Sequence, residues 1–163
     1  TLTAGATAGL VTIRATQTGN ASFLAATPVE RSFRVVATSS ELAMTTYLGN
    51  AGIPPAGRLG DLDPDLDGLV NLMEFALGGS PLIADTALLP TVQVLNGLLT
   101  LTYTQTQSAH VRYTVKASLD VNALWSAAGV IQGTPGPGGL TSATFDITAW
   151  LRHFLRLEVE LLP

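Results

Sequence analysis

Cysteine is absent from the sequence, which removes disulfides, thiol nucleophiles and zinc–thiolate sites together. Lysine occurs once, at Lys116, and charged residues make up only 12% of the chain, about half the ordinary share. The arginines are scattered singly, so there is no basic patch with interleaved aromatics and no electrostatic basis for nucleic-acid binding. No apolar run approaches the length that crosses a bilayer as a helix. There is no G-x-S-x-G elbow, and the glycines of 136–139 carry prolines without the lysine of a phosphate-cradling loop. No initiator methionine, signal peptide or transit segment is visible at Thr1, so the expectation is a mature product or a fragment of something longer.

What is present points to a folded, β-rich chain. Apolar residues reach 47%, far from the low hydrophobicity and high net charge of disorder, and threonine accompanies valine and leucine, which favours strands. Val11, Ile13 and Ala15 alternate with Thr12, Arg14 and Thr16, and the same period returns at Phe33, Val35 and Ala37. Between these runs Gly19-Asn20 is a strong turn dipeptide. Two such strands cannot cover their own apolar face, so they must pack on the rest of the chain or complete a sheet contributed by another. Towards the C-terminus Leu99, Leu101 and Tyr103 alternate with threonines, and Tyr113, Val115 and Ala117 alternate with Thr114 and Lys116. Phe145, Ile147, Leu155, Leu157, Val159 and Leu161 complete the pattern, with 133–139 as a Gly/Pro loop. Residues 149–154 also fit a helical turn through Trp150, Leu151 and Phe154. The expected fold class is mainly β, an antiparallel sandwich.

Two helices interrupt the strands. Residues 41–49 fit a short helix with Ser39 or Ser40 as N-cap and Gly49 as its stop, and Pro54-Pro55 forbids continuation. Residues 69–77 are apolar enough for a buried helix, which Gly78-Gly79-Ser80-Pro81 ends with a glycine available for the left-handed position.

The chemistry lies between them. Asp61, Asp63, Asp65 and Asp67 are four of the seven aspartates in the chain, and they repel one another unless a cation or solvent neutralises them. From Asp63 the sequence runs Asp63-Pro64-Asp65-Leu66-Asp67-Gly68-Leu69-Val70-Asn71-Leu72-Met73-Glu74. An EF-hand loop takes its oxygens from positions 1, 3, 5, 7, 9 and 12, with glycine at the sharp turn of position 6. Asp63, Asp65 and Asp67 fill the first three positions and Gly68 the turn. Leu69 would ligate through its carbonyl and Asn71 directly or through water, and Glu74 would be the bidentate ligand. Calcium is the expected ion, since magnesium demands a tighter octahedral shell. An acid-rich surface turn with Asp67 as N-cap explains one or two of these acids, not three alternating ones plus a glycine and a distal glutamate.

The loop departs from a calcium sensor. Pro54, Pro55 and Gly60 precede it in place of an entering helix, and no second loop exists for Val70 to pair with. With no helix pair to open, a structural role is expected, in which calcium docks Leu72, Phe75 and Ala76 against a sheet at extracellular affinities on the order of 10⁻⁴ to 10⁻³ M.

Other candidates read as structural. His110 and His153 have neither an i,i+4 partner nor a recognisable acid. Asp120, Asp146, Glu158 and Glu160 could supply paired carboxylates, although Glu158 and Glu160 share a strand face of solvated type. Trp125, Trp150 and Tyr113 could form a sugar platform, with packing the better reading. Asn20-Ala21-Ser22 is a formal glycosylation sequon of little weight.

Several of these stretches also resemble known bacterial sequences. The segment VTIRATQTGNASFLAA followed by RSFRV, within 8–37, resembles the closing strands of a bacterial immunoglobulin-like domain. That resemblance implies a chain that begins inside such a domain. The loop-then-helix form resembles half of a dockerin, and since dockerins carry two loops, cohesin binding is not implied. DLDPDLDGLVNLMEFALGGSP, then LTLTYTQTQSAHVRYTVKASLDVNALW, then RHFLRLEVEL resembles the C-terminal region of large secreted multidomain bacterial proteins. It implies an extracellular or cell-surface location and no activity of its own. The implied organisation is 1–38 as closing strands of an incomplete Ig-like domain, 39–81 as helix plus calcium loop and helix, and 82–163 as a terminal β-sandwich. The expected role is a non-catalytic, calcium-stabilised structural or assembly module, self-associating or joining neighbouring domains through incomplete sheets, even into a filament. The alternative is an accessory carbohydrate-binding or adhesion module of a secreted hydrolase.

Overall fold

The computed structural model describes residues 8–148 and 153–163. Their order is β1 (Gly9–Gln17), β2 (Ala26–Val35), α1 (Ser39–Asn50), α2 (Asn71–Leu77), β3 (Thr91–Leu95), β4 (Leu98–Thr104), β5 (Val111–Ser118), β6 (Val130–Ile131), β7 (Leu140–Asp146) and β8 (Phe154–Leu161). The fold is mainly β, and every pairing among these strands is antiparallel. No helix among the described residues is long and apolar enough to cross a membrane.

β1 and β2 form a hairpin of their own. Gly19 turns the chain with φ +73°, and a Cβ there would lie 2.5 Å from the Phe23 carbonyl oxygen. The Asn20 side chain then accepts from the backbone N–H groups of Ser22 and Phe23 at 2.9 and 3.0 Å, an Asx turn that fixes the bend. One face carries Val11 opposite Phe33 and Ala15 opposite Val29, the other Thr12 opposite Ser32 and Arg14 opposite Glu30. Both faces are open over most of the hairpin: Ile13 is 44% and Val29 49% exposed. Among the described residues, β2 approaches the body at the 3₁₀ turn Pro55–Gly57.

α1 starts at Ser39, one residue earlier than a Ser39 cap and two earlier than a Ser40 cap would place it. The Thr38 hydroxyl accepts from Glu41 N–H at 3.1 Å, and Glu41 Oε2 accepts from Ala37 N–H at 2.6 Å. The arrangement resembles a capping box displaced by one residue, since Glu41 reaches back to the N–H before the cap rather than to that of Thr38. Gly49 does not stop the helix, which runs through Asn50; at Gly49 a Cβ would lie 2.9 Å from the Arg58 guanidinium carbon, so the glycine serves a close approach. α2 ends as expected, with Gly78 left-handed at φ +84°.

The remaining strands form two sheets, β3-β4-β7-β6 and β5-β8. Asn96 and Gly97, both with positive φ, make the tight β3–β4 turn. Alternation sends Leu101 and Tyr103 from β4 and Ala143 from β7 inward, where they meet Val115, Leu155 and Leu157 of the second sheet and Leu77 of α2. Next to this core, Met44, Leu48, Ile53, Phe75 and Ala76 pack with Val111, flanked by Val159 and Leu161. The helices therefore cover one end of β5–β8, and burial of each large apolar side chain contributes about 1.5–3 kcal/mol. Tyr113 joins both clusters, its hydroxyl donating to Ala76 O at 2.6 Å and accepting from Gln107 N–H at 3.1 Å. Phe154 opens β8 rather than closing a helical turn, because pairing opposite Ser118 holds it extended. The rest of that expected turn, 149–152, lies outside the described residues. Among the described residues no full strand pairs along the outer edge of β5. Instead Ala117 bridges Ser126, and the Gln132 side-chain amide accepts from Val115 N–H at 2.9 Å and donates to Val115 O at 2.7 Å.

Candidate metal centre

The acidic loop is held in shape by its own carboxylates. Asp63 Oδ1 accepts from Leu66 N–H at 2.8 Å and Oδ2 from Gly68 N–H at 3.0 Å, so one side chain spans the turn. Leu66 and Gly68 both take positive φ, +62° and +94°. Such a conformation is unfavourable for a leucine, and its side chain is thrown into solvent at 84% exposure. Asp65 Oδ1 accepts from Asp67 N–H at 3.3 Å, and Asp67 Oδ1 from Leu69 N–H at 2.7 Å. The three half-buried carboxylates thereby converge, each offering an oxygen within 4.8 Å of the others. Two unit charges this close repel by about 3 kcal/mol at an effective dielectric near 20.

α2 is tied directly to the loop. Its first N–H groups donate to loop carbonyls, Asn71 to Leu62 O at 2.7 Å and Leu72 to Gly60 O at 3.0 Å. The N-cap is Val70, with no side-chain cap, so Asp67 does not serve as the helix cap. Leu69 turns its side chain inward and is 4% exposed. Asn71 is fully buried, and its amide nitrogen clamps the incoming segment by donating to Gly57 O at 3.2 Å and Leu59 O at 2.7 Å.

Glu74 is the unusual group. It is 1% exposed, yet Oε2 is buried without a hydrogen-bond partner, as are Asp65 Oδ2 and Asn71 Oδ1. Burial first, and then the charges of Asp65, Asp67 and Asp63, push its pKa up to about 7 from the ordinary 4.5. The Tyr47 hydroxyl nearby is pushed up to about 12 by burial and then by Glu74. None of the ion pairs among the described residues involves these acids. Burying an unpaired carboxylate is costly unless a cation or a proton neutralises it. The donor set, all oxygen and mostly anionic, is that of a hard divalent cation. Asp63, Asp65 and Asp67 can hold a metal ion, while Glu74 lies outside that cluster, near enough for their charges to raise its pKa.

One tie was not foreseen from the spacing. Asp67 Oδ2 accepts from Asp85 N–H at 2.8 Å, across 18 positions. Asp85 in turn caps the 3₁₀ turn Thr86–Leu88 through Ala87 N–H, which is the only local signal it carries.

The other candidates disperse. Asp120 accepts from Asn122 N–H, and Asp146 from the backbone and hydroxyl of Thr148, which hold its pKa below the usual carboxylate range. Glu158 sits between Lys116 and Arg156, with its pKa lowered mainly by Lys116, while Glu160 pairs with Arg112 at 3.2 Å. Trp125 has the Arg156 guanidinium over its ring at 4.4 Å. Arg156 alternates with the inward residues of β8, so Trp125 lies on the outer side of β5–β8 and Tyr113 on the inner, and the two share no platform. Trp150 lies outside the described residues. The Nδ1 atoms of His110 and His153 are buried without partners, and the His153 ring lies 4.8 Å from that of Phe145. No family model matches the sequence, and no curated protein or solved structure matches it.

Proposed function

We propose that residues 63–74 bind calcium, and that the chain is a non-catalytic structural module of a secreted or cell-surface bacterial protein. The observation that carries this reading is Glu74, a carboxylate 1% exposed with an unpartnered oxygen, set beside three aspartates that share one small volume. A divalent cation removes both the repulsion and the desolvation penalty, and in doing so anchors α2. Ligation then runs through Asp63, Asp65, Asp67, the Leu69 carbonyl and Glu74, with Asn71 Oδ1 at the inner side. Because Phe75, Ala76 and Leu77 belong to the cores beneath β5–β8, fixing α2 fixes the Ig-like sandwich that we read in 82–163. The open β1–β2 hairpin fits a strand pair completed by a neighbouring domain or another copy. Titration calorimetry of the full chain, freed of divalent ions, tests the metal: one calcium per chain is expected, binding more tightly than magnesium, and Glu74→Gln abolishes it. No heat in millimolar calcium, together with an unchanged melt, overturns the assignment.

A further inference from the structure

Two residues of the metal loop, Asp67 near its middle and Glu74 at its end, touch the segment that leads from α2 to β3. Asp67 spends Oδ1 inside the loop, on Leu69 N–H, and Oδ2 outside it, on Asp85 N–H. On the other side, Gly79 follows Glu74 by one turn and donates to Glu74 O at 2.9 Å. A Cβ at Gly79 would lie 2.7 Å from Leu88 Cδ1, 3.3 Å from Glu74 Cβ and 3.4 Å from Glu74 Oε1, so Leu88 presses against the same corner as Glu74. Tyr47 of α1 donates to Gly79 O at 2.7 Å and holds that corner to the first helix. The segment itself has little else to hold it: Leu82 and Ile83 are 50% and 66% exposed, and Leu89 is 45% exposed. Pro81 is buried and marks where the loose part begins.

We propose that the metal site is a latch for residues 82–89, with ion occupancy transmitted through Asp67 and Glu74 to the crossover between α2 and β3. This rests on the calcium reading above and adds a regulatory consequence to it. With the ion bound, the Asp67 carboxylate is held in one plane and can serve the ion, Leu69 and Asp85 at once. When the ion leaves, Asp63, Asp65 and Asp67 relieve their repulsion by moving apart, and Asp85 N–H loses its acceptor. Glu74, no longer neutralised, loosens the corner against which Leu88 packs. Residues 82–89 are tied to the loop through Asp85 N–H and Leu88, so they open at a lower free energy than the core strands.

Hydrogen exchange of the full chain, with calcium and with chelator, tests this at a temperature below the chelated melting point. At labelling times too short for global unfolding to expose β4, β5 and β8 with or without calcium, peptides covering 82–89 are expected to exchange about tenfold faster or more in chelator. Leu88→Ala is expected to speed exchange in the same segment with calcium still bound. If calcium protects 61–70 but leaves 82–89 unchanged, the metal reading stands and the latch is wrong. Equal loss of protection in every strand also overturns the latch, since the response is then global. No calcium effect on any peptide, with no heat of binding, removes the metal reading itself.

Discussion

The pairs β1–β2 and β5–β8 are both two-stranded antiparallel ribbons of similar length, with apolar residues alternating along each strand and ion pairs on one face. In the first, Arg14 faces Glu30 at 3.6 Å; in the second, Arg112 faces Glu160 at 3.2 Å. Yet Val115 is fully buried while Val29 is 49% exposed. The difference lies in what stands behind each ribbon. β1 and β2 are joined by a short turn and can pair alone, whereas β5 and β8 are far apart in sequence and pair over a core supplied by α1, α2, β4 and β7. Alternation writes a strand and its two faces; it does not write which face will be covered.

That contrast can be broken at its strongest point first. Phe75→Ala removes a buried ring under β5–β8 and is expected to cost about 3–5 kcal/mol in denaturant unfolding. Val29→Ala in the hairpin should cost under about 1 kcal/mol by the same measurement, since Val29 is 49% exposed. Chelation comes next. At calcium a hundredfold above Kd the ion contributes about 2.7 kcal/mol, so its removal lowers the melting temperature of the body, and Glu74→Gln cancels the dependence. Amide exchange of β1–β2 should not respond. A smaller effect follows from pH in the chelated protein. The Glu74 pKa is higher folded than unfolded, so its contribution is fully present below about 4.5 and is lost as pH rises through about 7. The chelated melting temperature should therefore fall across that window, and saturating calcium should remove the fall. A melt that rises with pH in chelator would contradict the burial of a lone Glu74. The smallest global change is expected from Gly19→Ala. It forces a Cβ into the left-handed region and against the Phe23 carbonyl, at a local cost of about 1–3 kcal/mol. Hairpin amide shifts should collapse towards random coil while the melt of the body stays unchanged.

The features readable in the sequence were the local ones. Gly19-Asn20, Gly78 and the acid–glycine spacing of 63–68 each impose a backbone conformation through the residue itself, and the chain adopts it. Strand alternation in β4, β5, β7 and β8 is likewise visible. Thr38 escaped because Ser39 and Ser40 compete for the same role, and only Glu41 three residues on distinguishes it. The Asn96-Gly97 dipeptide is a strong hairpin signal in its own right, and Val92 and Val94 alternate with Thr91 and Gln93 in β3 beside it. Sheet membership was not readable at all. β4 pairs with β7, and β5 with β8, and such partners are chosen by packing across long separations, not by any neighbouring residue. The Asp67–Asp85 bond is of the same kind, since a backbone N–H has no sequence signature.

The Gln132 amide against Val115 imposes a limit on aggregation. An unpaired strand border presents a row of donors and acceptors that any extended peptide can read. Here a side chain copies one peptide unit and answers both groups of Val115, with Ser126 answering Ala117 beside it. The C-terminal half of that border is thus closed at Val115 and Ala117, and a foreign strand that pairs there must first displace Gln132 and Ser126.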